Sequence, residues 1–248
     1  FIIPFSGLLL GGVASAQARS SVVTLFDCAE ATTLTQPQQI QELKKLQSAY
    51  QSTNTLEAKF EQDSFVASLE LSEVSSGQVY LRKPGRMRWH YQLPEEQDFI
   101  VRDETLWLYQ PEQRQVTIDQ FKRNLISDLP VAFLMGLGGL SSNFDVITGC
   151  RSGNRIVLEL KSKSKKNSGN DLASLTLAVG DADESIRTLR GAKIIDSSGN
   201  STAIALIDLR SGAVLGEDRF SILFPEGVDI IDRRQQSQES PPNKEGRE

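Results

Sequence analysis

The sequence predicts a mainly β protein, one antiparallel sheet of roughly ten strands carrying a few helices. Three observations lead there. From Leu56 onward, polar and apolar residues alternate with a period of two in one short run after another. Turn residues separate these runs at close intervals: Ser75-Ser76-Gly77, Pro84-Gly85, Pro94, Asp103-Glu104 and Pro111-Glu112. Only the stretches 37–53 and 124–144 shift toward a helical period. A sheet that long tends to curl or close on itself.

Taken in order, residues 1–18, "FIIPFSGLLLGGVASAQA", are apolar and end in small residues, with Ala16 and Ala18 in A-x-A cleavage positions. This predicts a secretory signal peptide. Pro4, Ser6 and the glycines break the run, which falls short of the ~20 apolar residues a membrane span needs. Export places Cys28 and Cys150 in an oxidising compartment. The sequence leaves open whether they come close enough to pair. Phe26 and Asp27 stand where a lipidation motif needs small residues, so Cys28 is not read as a lipid attachment site.

Residues 19–35 show no period and read as a loose lead-in. In "PQQIQELKKLQSAYQST", Ile40, Leu43, Leu46 and Tyr50 fall on one helical stripe, and Pro37 suits the first turn. "LEAKFEQ" then points Leu56, Ala58 and Phe60 one way and Glu57, Lys59 and Glu61 the other. Strands are expected in "SLELSEV", "GQVYLRK", "RMRWHYQ", "DFIVRD", "TLWLYQ" and "RQVTID". The middle segment "NLISDLPVAFLMGLGGLSSNF" reads as one or two short helices. Phe133, Leu134, Leu137 and Leu140 share a face there, interrupted by Gly136, Gly138 and Gly139. Strands resume with "FDVITG", "RIVLELK", "LASLTLAV", "RGAKIID", "STAIALIDL" and "RFSILF". The basic loop "KSKSKKNSGND" is read as solvated, and the polar tail 233–248 as disordered. One folded domain is expected over 36–232.

One stretch, "GQVYLRKPGRMRWHYQLP" (77–94), mixes arginine with aromatics and raises the question of nucleic acid. Alternation answers it. Val79 and Leu81 share a face, as do Met87, Trp89 and Tyr91; Arg86, Arg88 and His90 lie on the opposite side. A base-stacking platform wants cations and aromatics together, and a net charge of −5 also argues against such a partner. Lys83 alone shares the apolar face and needs a partner or a route to the rim. Enzymes are disfavoured too: the chain has one histidine, His90, no G-x-S-x-G and no metal-spaced cluster. Neither a metal nor a catalytic residue is expected.

The run 77–117, "GQVYLRKPGRMRWHYQLPEEQDFIVRDETLWLYQPEQRQVT", resembles the outer-membrane lipoprotein carrier (LolA) family. It has a glycine-led strand, a basic-Pro pair, an aromatic strand ending in proline, and an Asp-led hairpin with Leu-Trp and Tyr-x-Pro. The resemblance extends to "LQSAYQSTNTLEAKFEQ" and "FSILFPEGVDIID", covering most of residues 38–232. It implies an open, half-closed antiparallel β-barrel with a helical lid, acting as a monomeric periplasmic chaperone without cofactor. It would take acylated lipoproteins from an inner-membrane ABC transporter to an outer-membrane receptor. It further implies an acyl cavity at Met87 and Trp89, to which the alternation adds Tyr91, Val79, Leu81 and Phe60, and the helical segment adds Phe133 and Leu137. By the same resemblance Lys83, where the best-known members have arginine, latches the lid. The rival reading is an exported β-protein that binds another lipid or hydrophobic ligand. Whether Leu106 and Leu108 or Trp107 and Tyr109 face inward stays undecided, since both faces are apolar.

Overall fold

A computed structural model describes residues 22, 24–28, 31–121, 139–163, 172–180, 188–221 and 223–234. Their strands form one open 13-stranded sheet, so the expected count of about ten is low. In chain order the strands are β1 (Thr32–Thr33), β2 (Thr55–Val66), β3 (Leu71–Arg82), β4 (Arg86–Leu93), β5 (Gln97–Arg102), β6 (Thr105–Gln110) and β7 (Gln115–Gln120). They continue with β8 (Phe144–Ser152), β9 (Arg155–Ser162), β10 (Leu172–Gly180), β11 (Thr188–Asp196), β12 (Ser201–Ser211) and β13 (Asp229–Asp232). In space the order is β1-β8-β9-β10-β11-β12-β2-β3-β4-β5-β6-β7-β13. Neighbours run antiparallel except β13, which pairs parallel with β7. No described helix is long and apolar enough to cross a membrane.

Helix α1 (Gln36–Ser52) precedes β2, and the single turn α2 (Leu140–Asn143) precedes β8. At the start of α1 the Gln38 side-chain carbonyl accepts from both the Thr35 backbone N–H and its hydroxyl, at 2.9 and 3.0 Å. The helix buries Leu43, Leu46 and Tyr50 as expected, but also Gln39 and Glu42, and it leaves Ile40 42% exposed. Polar docking rotates the stripe: Gln39 Nε2 donates to Leu34 O at 2.8 Å beside Gly149 of β8. The Ser141 backbone N–H and hydroxyl both donate to Gln47 Oε1 at 2.8 Å, which ties α2 to α1.

Three other expectations change. "SLELSEV" and "GQVYLRK" merge into the single strand β3, because the Ser75-Ser76-Gly77 stretch pairs continuously with β2. In "RFSILF" no strand forms among the described residues: Arg219 and Phe220 close a 3₁₀ turn at Glu217–Phe220, with Phe220 buried under the Arg82 guanidinium. The lead-in is anchored: Thr32 and Thr33 pair with β8, Val22 is buried, and Cys28 forms a disulfide with Cys150 across a Cα separation of 6.0 Å. Phe133, Leu137 and the rest of 122–138 lie outside the described residues, as do the signal segment, the basic loop from 164 and the tail from 235.

One face of the sheet, the inner face, carries the main core and α1; β2, β3, β4, β9, β10 and β12 all contribute to it. The outer face carries a small satellite of Tyr80, Leu215 and Phe220.

Candidate functional site

The inner face of β2 to β5 is built by register. Leu56, Leu81, Met87 and Val101 stand side by side, and the next rung holds Ala58, Val79, Trp89 and Phe99. Phe60, Gly77 and Tyr91 form the third rung, and Gln62 and Ser75 the fourth. Alternate residues of paired antiparallel strands share a face, so each rung points the same way. All six strand residues expected at the site, Phe60, Val79, Leu81, Met87, Trp89 and Tyr91, are buried in one cluster. Burying a side chain the size of Phe60 stabilises by about 1.5–3 kcal/mol.

The aromatics stack closely: the Phe60 centroid lies 4.5 Å from Trp89 and 5.0 Å from Tyr91, and Tyr91 lies 5.8 Å from Phe99. Gly77 is what lets the Phe60 ring cross β3. The undecided face of β6 resolves as well, since Leu106 and Leu108 pack against the inner cluster. Trp107 instead lies under the Arg102 guanidinium at 5.3 Å, and Tyr109 packs on Phe224.

Beyond the third rung the face turns polar. The Tyr91 hydroxyl donates to Gln62 Oε1 at 3.0 Å, and Gln62 Nε2 donates to Ser64 Oγ at 3.0 Å. Burial pushes the Tyr91 phenol well above its ordinary range. It also raises the Glu73 carboxyl, with the charge of Glu95 adding to the effect. Sequence reasoning missed Phe99 and Val101, although alternation in "DFIVRD" carried the signal. It missed Gln62 because one polar residue in an amphipathic strand looks like a solvent-facing one.

Lys83 has the partner its register demanded. Its ammonium donates to Tyr50 O at the C-terminal end of α1 and lies 4.0 Å from the Tyr50 ring centroid. Its backbone N–H donates to Asn54 O at 2.8 Å. Burial holds the ammonium below the usual lysine range and raises the Tyr50 phenol.

The basic side of the same strands is not simply solvated. Arg82 and Arg86 both pair with Glu217, and Arg82 also donates to Leu215 O at 2.9 Å. Arg88 grips the buried Asp98 carboxylate with bonds of 2.6 and 3.0 Å, and His90 Nδ1 lies 3.1 Å from the same group. The lone histidine therefore has a partner that the sequence did not reveal. His90, Glu96 and Asp98 bring ligand atoms within 4.8 Å of one another, but both Asp98 oxygens are already committed to Arg88. Each arginine of the stretch is thus matched by an acid or a carbonyl, an arrangement that holds the outer layer rather than phosphates. An open outer-face hollow of about 220 Å³ is lined by the pairs Lys59–Asp208 and Arg210–Glu57, and its polarity does not suit an acyl chain.

The model of the outer membrane lipoprotein carrier protein LolA matches residues 51–223, more than half of the chain. The chain belongs to the LolA family. An outer-membrane lipoprotein carrier protein of Pseudomonas paraeruginosa is 31% identical over 211 residues, 84% of this chain and 97% of the relative. That of Legionella pneumophila is 30% identical over 187 residues, 75% and 87% of the two chains. Among solved structures, a LolA superfamily protein from Nitrosomonas europaea superposes over 76% of this chain and 99% of its own at 12% identity, with a TM-score of 0.42. The motif run 77–117 falls within the matched region.

Proposed function

We propose that this protein is a periplasmic carrier that shields the acyl chains of lipoproteins and moves them from the inner to the outer membrane. The carrying observation is the set of register-aligned apolar rungs on β2 to β5, opposite an outer face where Lys59, Arg82, Arg86 and Arg88 are paired with acids. Each buried CH₂ of an acyl chain is worth about 0.8 kcal/mol, so cargo of this kind does not cross an aqueous space unshielded. In this reading the sheet acts as a half-closed barrel, with α1 and α2 as a lid. Lys83 serves as the latch, with the Tyr50 carbonyl as its keeper. The signal peptide is removed after Ala18. The carrier receives cargo from an inner-membrane ABC transporter and delivers it to an outer-membrane receptor.

Purified protein should bind an acylated lipoprotein and ignore the same protein stripped of its acyl chains. Equal binding of both would overturn the proposal. Trp89→Asp places a charge at a fully buried rung position and should abolish uptake while export continues; full transfer by that variant would refute the assignment of the cavity.

A further inference from the structure

Trp89 carries an unused hydrogen-bond donor. The side chain is completely buried, and Nε1 has no hydrogen-bond partner. The Tyr91 phenol, raised by burial, has the Trp89 indole beside it, but Nε1 makes no hydrogen bond to its oxygen. A buried donor left unpaired raises the free energy of the form that buries it, so its persistence in an otherwise apolar rung calls for a reason.

Its place along the strands supplies one. The rung of Trp89 and Phe99 and the rung of Met87 and Val101 before it are apolar, whereas the Tyr91 hydroxyl of the third rung meets the Gln62 amide of the fourth on the same face. Trp89 Nε1 therefore sits where the lining changes from hydrocarbon to polar groups. An acylated cysteine has the same order: hydrocarbon first, then the ester or amide carbonyl of each linkage, then peptide. We propose that the Trp89 Nε1–H, with the Tyr91–Gln62 pair beside it, forms a polar notch that donates a hydrogen bond to a carbonyl oxygen of the cargo's acyl linkages. This rests on the carrier reading and sharpens it, because the site then recognises acyl linkages and not merely grease. It also biases the cycle. Closing over an empty interior leaves the donor unpaired, while closing over cargo pairs it.

The test uses the intact protein and three synthetic lipopeptides of equal chain number and length. One has native ester and amide linkages, one has ethers in place of the esters, and one has an N-alkyl amine in place of the amide. The wild type should bind the native probe about five- to tenfold more tightly than one of the two analogues, the swap that weakens binding naming the carbonyl. Trp89→Phe keeps an aromatic ring in the rung and should erase that preference, so that its affinities for the native and analogue probes become equal. Resonance Raman spectra of the wild type should show the indole N–H becoming hydrogen-bonded on loading, a readout that needs no variant. Equal wild-type affinity for all three probes, or a preference that survives in Trp89→Phe, overturns the notch and leaves the carrier reading standing. Failure to bind any probe overturns the carrier reading and the notch together.

Discussion

Gly77 sits where the Phe60 ring crosses β3, and a Cβ placed there would meet His90 O at 1.9 Å and Phe60 Cε1 at 2.9 Å. The first of these is ladder backbone and has little freedom to move. Gly77→Ala should therefore lower the unfolding free energy by roughly 1–3 kcal/mol, read by urea denaturation; a stability equal to wild type would show that the rung is looser than described. The inward set Met87, Trp89 and Tyr91 was legible in the sequence because the Pro84-Gly85 turn fixes the phase of a strict alternation. Asp98 was not. Its role depends on standing opposite His90 across β4 and β5 and one register step from Arg88, and that pairing is set by the fold rather than by local pattern. The gradient from Trp89 to Gln62 was hidden for the same reason, since it runs across strands and not along one.

At the scale of elements, the meeting of α1 and the end of β3 should carry a pH dependence. Lys83 holds its proton less tightly in the closed arrangement than a solvated lysine does. Between the lowered and the ordinary pKa, the closed form binds fewer protons than the open one. Closure should thus strengthen as pH rises through that window and be weakest below it. Binding of a hydrophobic dye to the empty carrier should fall over the same range. In Lys83→Arg, which stays charged, this slope should vanish, and Lys83→Leu should raise dye binding at every pH. An unchanged slope in Lys83→Arg would remove Lys83 from the latch. The α1 stripe was only partly readable: Leu43, Leu46 and Tyr50 followed from spacing, whereas Gln39 displaced Ile40 through a bond to Leu34 O. "DFIVRD" buries four residues in succession, Asp98 to Val101, because the segment around Glu217–Phe220 roofs its outer side. That roof comes from the far end of the chain, where no local period announces it.

Across the whole molecule, the Cys28–Cys150 bond joins residues 122 positions apart and fastens the N-terminal segment to β8. Leu25 and Phe26 of that segment lie against Gly191 of β11, where an added Cβ would meet Leu25 Cδ2 at 2.4 Å. Replacing both cysteines by serine should cost about 2–5 kcal/mol of unfolding free energy, seen as a lower denaturation midpoint that reductant no longer shifts. No loss would mean that packing alone holds the strap. The two margins of the sheet bear on a different hazard. One ends in the two-residue β1 beside a register shift between Val146 and Thr148; the other ends in β13, whose short "DIID" begins and ends with a carboxylate. Stubby, kinked or acidic borders make poor templates for another molecule's backbone. If the proposed carrier bares its greasy lining on every round trip, those are the moments most open to fibril growth, and these blunted rims should keep crowded, half-open copies from zipping into one another.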